Sequence, residues 1–130
     1  MRRYPEADTV LHKALALRND PVIWSDLAAV YQSQHKEAQA LELLRQAVLE
    51  APPGQGRARI RANLGVLEWK TGARADGEVS LREALDETVT AVGPNHPDTA
   101  WVLENYSEVL RKSGRKGGDR VPSDLQARFR

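Results

Sequence analysis

One hundred and thirty residues of 14.5 kDa are the size of one ordinary domain. Nineteen Lys and Arg against eighteen Asp and Glu leave a net charge of +1, which excludes a strongly basic nucleic-acid binder and a strongly acidic tail protein. A hydrophobic share of 41% supplies a packed core, yet no apolar run approaches the ~20 residues of a membrane span, and the absence of cysteine removes disulfides, thiol catalysis and thiolate metal sites together. The N-terminus, MRRYPEAD, has basic residues but no apolar stretch behind them, so it is not read as a secretory signal and the expected setting is cytoplasmic. Charge is unevenly placed. Residues 1–110 carry twelve basic and sixteen acidic side chains, net −4, and residues 111–130 carry seven and two, net +5.

The elements follow in chain order. Ala7, Val10, Leu11, Ala14, Leu15 and Leu17 repeat at three and four residues, which predicts a helix over 4–18. Asn19, Asp20 and Pro21 break it, and Asp20 with Pro21 reads as an N-cap followed by a first helical position. The second helix carries Ile23, Trp24, Leu27, Ala28 and Tyr31. The third, over 36–51, carries Ala40, Leu41, Leu44, Ala47 and Val48, and Pro52, Pro53 and Gly54 stop it. A fourth is expected from Arg57 to Thr71 with Gly72 beyond its end, a fifth from Arg74 to Val92 closed by Gly93, and a sixth from Asp98 to Ser113 closed by Gly114. Ser123 and Gln126 could form a capping box for a short helix over 123–129, with Leu125 and Phe129 on one face. No segment alternates with period two, so the chain reads as all-α.

These helices repeat. A small residue, an aliphatic four later and Ala three after that recur as Ala7, Leu11, Ala14, then Ala40, Leu44, Ala47, then Gly77, Leu81, Ala84, with spacings of 33 and 37 residues. Small residues let two helix backbones approach and the Leu fills the space beside them. With Trp24, Leu27, Ala28, Tyr31, Ala40, Leu44, Ala47 and Pro52 in place, residues 21–54 resemble a tetratricopeptide repeat. From Gly77 to Gly114, with the AVGPNHPDTA loop and Asn105 before a small-residue pair, the chain resembles the longer repeat of kinesin light chains and related bacterial proteins. The departures are Glu68 where the pattern has Tyr, and Gly77 where it has Ala. The resemblance implies a right-handed superhelical solenoid of about three helix-turn-helix repeats. Residues 1–114 would form it: a half repeat over 4–18, then repeats over about 21–54, 57–93 and 97–114. Residues 115–130 are left as a basic tail, partly disordered or a short capping helix.

Catalytic readings fail on context. Lys70, Thr71 and Gly72 spell KTG, and Ser33 to Lys36 and Ser113 to Lys116 give SxxK strings, but this KTG ends a helix rather than lying on a strand. His12, His35 and His96 form no HxxxH pair, so no metal site is expected, and no cofactor motif is present. His96 reads as shaping the loop ahead of an N-cap at Asp98. Acidic clusters such as Asp86-Glu87 and Glu104/Glu108 read as solvated helix faces, and no enzyme activity is expected.

A non-catalytic binding function is what the resemblance implies. In such repeats the first helices line a concave groove. Carried over by position, the groove would hold Val22, Ser25, Asp26, Ala29, Gln32 and Ser33 on one helix and Arg59, Ala62, Asn63, Val66, Trp69 and Lys70 on the next. Trp101, Glu104, Asn105, Glu108, Arg111 and Lys112 would follow on the third. Asn63 and Asn105 occupy the position from which such repeats reach a peptide backbone, while Trp69 and Trp101 are candidate anchors. The residues expected to carry binding are Arg59, Asn63, Val66, Trp69, Lys70, Trp101, Asn105 and Glu108. Arg59 and Asn63 belong to a carboxylate clamp of chaperone-tail binders, but Ser25 and Ala29 stand where its Lys and second Asn belong, so that specificity is not expected. Two alternatives remain. One is self-association through the unpaired helix 4–18. The other is a weak, salt-sensitive nucleic-acid contact through Arg111, Lys112, Arg115, Lys116 and Arg120, which lacks interleaved aromatics and ranks below.

Overall fold

The structure of the chain, a computed structural model, describes residues 21–113 and 121–129. The expected helix over 4–18, the Asp20 cap and the Gly114 stop lie outside the described residues. Among the described residues there is no strand, so the chain is all-α. Five helices lead: α1 (Pro21–Ser33), α2 (Glu37–Glu50), α3 (Gln55–Lys70), α4 (Arg74–Val92) and α5 (Pro97–Lys112). A single turn, α6 (Ser123–Gln126), runs into a 3₁₀ turn over Ala127–Phe129.

The helix ends show why the punctuation falls where it does. α1 closes with the Lys36 amide donating to the Tyr31 carbonyl (2.8 Å) and the His35 amide to that of Gln32 (3.0 Å), with His35 left-handed at φ +60°. α3 closes the same way: the Ala73 amide reaches the Glu68 carbonyl (2.8 Å) and Gly72 takes φ +104°. Both are Schellman ends, which need a left-handed residue just past the helix. α3 begins at Gln55, two residues before the Arg57 expected from sequence, because Gly54 (φ 139°) already turns the chain into the helix. α5 begins at Pro97. His96, not Asp98, is its N-cap, and its Nδ1 accepts from the Asp98 amide at 3.0 Å. Thr99, fully buried, donates its hydroxyl to the Gly93 carbonyl at 2.6 Å and ties the loop to the first turn. At the last turn the expected capping box is not formed. Ser123 lies inside α6, and the Gln126 side-chain amide instead donates to the Val121 carbonyl.

From α1 to α5 each helix packs on the next in sequence, and α3 also touches α1 and α5. The first members of the pairs therefore make one layer, α1–α3–α5, with α2 and α4 behind. α3 can sit in the middle because it is apolar on two sides. Ile60, Leu64 and Leu67 join Trp24, Leu27, Leu43 and Leu44 in one cluster. Ala62, with Val66 and Trp69 packed at the edge, joins Leu81, Leu85, Val102, Tyr106 and Leu110 in a second. Each set is spaced at three and four residues, so one helix carries two stripes. The crossing of α3 on α4 is close enough that a Cβ at Gly77 would stand 2.7 Å from the Gly65 carbonyl oxygen, and one at Gly65 would stand 2.8 Å from Leu81 Cγ. Leu125, 2% exposed, completes the second cluster, with Phe129 packed beside it and Arg82–Asp124 and Arg128–Asp86 ion pairs at its edges.

Candidate functional site

Two cavities flank α3, and their chemistry differs. The one between α3 and α4, of about 510 Å³, is lined by Arg57, Arg61, Glu83 and Glu87 together with the Pro53–Gly54 turn. Its charges are engaged with each other. Glu87 accepts from Arg57 Nε (2.8 Å) and from the Gly54 amide (3.0 Å), and Arg61 reaches Glu83 at 3.0 Å and Glu87 at 3.6 Å. This network fastens the inter-repeat turn onto α4.

The cavity on the other flank, about 420 Å³, lies between α1 and α3, the two adjacent first helices. Ser25 and Asp26 contribute from α1, and Gln55, Gly56, Arg59, Ile60 and Asn63 from α3. The arrangement follows from helix periodicity. Arg59 and Asn63 are one turn apart on the same stripe, and the early start of α3 adds Gln55 one turn before them. Ile60 belongs to the core and is 1% exposed, so the cavity has an apolar floor beneath polar walls. Gln55 also donates its side-chain amide to Asp98 at 2.5 Å, which fixes the start of α3 to the start of α5. Among the described residues no group of acidic or imidazole side chains is suited to hold a metal ion.

Of the residues singled out from sequence, Arg59 and Asn63 share this cavity with Ser25 and Asp26. Val66 and Trp69 are half-buried against the second cluster. Trp69 has its Nε1 buried without a partner among the described residues, and the Arg74 guanidinium sits 4.8 Å from its ring centre. Lys70 is exposed at the end of α3. On α5, Trp101 is 40% exposed, and Asn105 donates its amide to the Trp101 carbonyl of its own helix at 2.8 Å. Glu108 pairs with Arg111 and with Lys112. Ala62, placed on the groove by repeat position, is fully buried in the second cluster. Gln55 and Ile60 were missed from sequence. The Pro52-Pro53-Gly54 stop would have located Gln55, since a helix can start directly after it, whereas Ile60 reads only as core.

Residues 57–98 match the family model described as Tetratricopeptide repeat, a stretch that runs from the first turn of α3 through α4 to the first turn of α5. The Clustered mitochondria protein homolog of Coccidioides immitis (strain RS) is similar, at 35% identity over 86 residues, 62% of this chain and 7% of that protein. The chain thus spans a small part of the length of the curated relative it matches. Among the described residues no helix is long and apolar enough to cross a membrane.

Proposed function

The chain is a tetratricopeptide-repeat protein, and from that premise we propose that its first-helix layer binds a peptide or an extended segment of a partner protein, without catalysis. Repeats of this family generally mediate protein–protein interaction. The observation that carries the reading is the α1–α3 cavity, where Arg59 and Asn63 converge with Ser25 and Asp26 over the Ile60 floor. A volume of about 420 Å³ suits a few side chains of an extended chain rather than a folded surface. Asn63 offers an amide that both donates and accepts, so it can pair with a main chain of any sequence. Asn105, one repeat on, keeps a second N–H and its oxygen after its bond to Trp101. Trp101 offers an exposed ring beside it. Val66, Trp69, Lys70 and Glu108 would complete the surface between and beyond the two amides.

The test is equilibrium binding of peptides selected from a random library against the wild-type chain. Each lost main-chain bond costs about 0.5–1.5 kcal/mol, so Asn63→Ala with Asn105→Ala is expected to weaken binding about tenfold while helix content and melting stay at wild-type values. Unchanged affinity in the double variant would remove the groove assignment.

A further inference from the structure

We propose that the α1–α3 groove selects a segment carrying two side chains of opposite charge, a basic one set against Asp26 and an acidic one set against Arg59. The inference rests on the peptide-binding reading above and names the kind of partner that site takes.

Asp26 on α1 and Arg59 on α3 face the same cavity from its two walls, and both are exposed. Among the described residues neither side chain enters an ion pair or a hydrogen bond. Their neighbours do: Arg57 and Arg61 are held by Glu87 and Glu83, and Asp98 takes the Gln55 amide. Among the described residues, the two charges that line the groove are therefore left unneutralised. A ligand of purely positive charge is drawn to Asp26 and repelled by Arg59, and an acidic one meets the reverse. Only a segment with both signs gains at both walls, so the pair rejects singly charged competitors as well as rewarding the matched partner. Between the walls, the Asn63 amide and Ser25 hydroxyl stand where a main chain would pass, and the Ile60 floor excludes water beneath it.

The probe is a hexapeptide library acetylated and amidated at its ends, so that only side chains carry charge. It is selected against the wild type, Asp26→Asn, Arg59→Gln, the exchanged variant Asp26→Lys with Arg59→Glu, and the Asn63→Ala/Asn105→Ala variant. Wild type is expected to enrich peptides bearing both a Lys or Arg and an Asp or Glu. Asp26→Asn should lose the basic preference alone and Arg59→Gln the acidic one alone, each weakening a wild-type-selected peptide about two- to fivefold, the scale of one exposed ion pair. The exchanged variant should recover binding for that peptide with its two charges interchanged. If both single variants enrich the same charge composition as wild type while the double Asn variant still loses affinity, the charge assignment falls and the peptide-binding reading stands. If wild type enriches nothing, both fall.

Discussion

Gly77 stands where the repeat pattern has Ala, and the crossing of α3 and α4 supplies the reason. A Cβ there would meet the Gly65 carbonyl oxygen at 2.7 Å and the Trp69 amide nitrogen at 2.9 Å, both backbone atoms that cannot swing aside. Ala gains about 1 kcal/mol of helix propensity over Gly, but overpacking a close contact costs about 1–3 kcal/mol. Because the clash is with backbone, the second effect should win. Gly77→Ala, a change toward the family pattern, is expected to lower the melting temperature, and a rise would show that the helices separate freely. Glu68 departs from the pattern for a different reason. It is 4% exposed and accepts from the Ser80 hydroxyl at 2.6 Å and from Arg45 at 3.4 Å, so three helices meet on one carboxylate. Glu68→Ala leaves Ser80 without its acceptor and should cost about 1–3 kcal/mol. Arg45 is half exposed, so Arg45→Ala should cost under about 1 kcal/mol. Urea unfolding of the two variants reads the difference, and equal losses would mean that the ion pair, not the buried bond, carries the site.

At the scale of the element, the two Schellman ends form a natural pair of controls. α1 and α3 finish with the same hydrogen bonds, but one places Gly72 in the left-handed position and the other places His35 there. A side chain in that conformation is strained by roughly 1–2 kcal/mol, part of which glycine gives back through its freer unfolded chain. His35→Gly is therefore expected to raise stability by about 0.5–1 kcal/mol, measured by chemical unfolding, and a loss would mean that the imidazole contributes something the helix end does not need. The start of α5 offers the converse case. His96 accepts from the Asp98 amide, so His96→Ala should cost about 1 kcal/mol and His96→Asn should retain most of the cap. That role was not legible beforehand, because His is an uncommon cap and Asp98 is the ordinary reading of the same loop. Only the bond geometry distinguishes them.

Among the described residues, α1 to α5 behave as a short stack in which each helix is stabilised by its neighbours in sequence. α3 belongs to both core clusters, so damage there spreads both ways, whereas damage at either end stays local. Hydrogen exchange should accordingly show the strongest protection in α3 and α4 and the weakest in 121–129, which is held by Leu125, Phe129 and exposed ion pairs. Leu125→Asp should free that segment while leaving α1 and α2 protected, and collapse of the entire pattern would show that the stack is one cooperative unit. Ala47→Glu, by contrast, buries an unpaired carboxylate at a site 1% exposed between α1, α2 and α3, and should destabilise the chain by several kcal/mol.

Over the described residues, the order and approximate extent of the helices were legible in the sequence. Apolar spacing of three and four residues, with Gly or Pro at the breaks, is a local signal that neighbours in space do not alter. The repeat was legible too, because Ala40, Leu44 and Ala47 recur as Gly77, Leu81 and Ala84, all of them buried where paired helices stack. Which polar side chains pair with one another was set only by the packed helices. Arg57, Arg59 and Arg61 look alike along the chain, yet two are taken by carboxylates of α4, some thirty and twenty-two positions away, and Arg59 is not. Likewise Ala62 and Asn63 are adjacent, and only the second lines the cavity between α1 and α3. Charge pairing and burial are set by contacts across helices, and those distances exist only once the stack has formed.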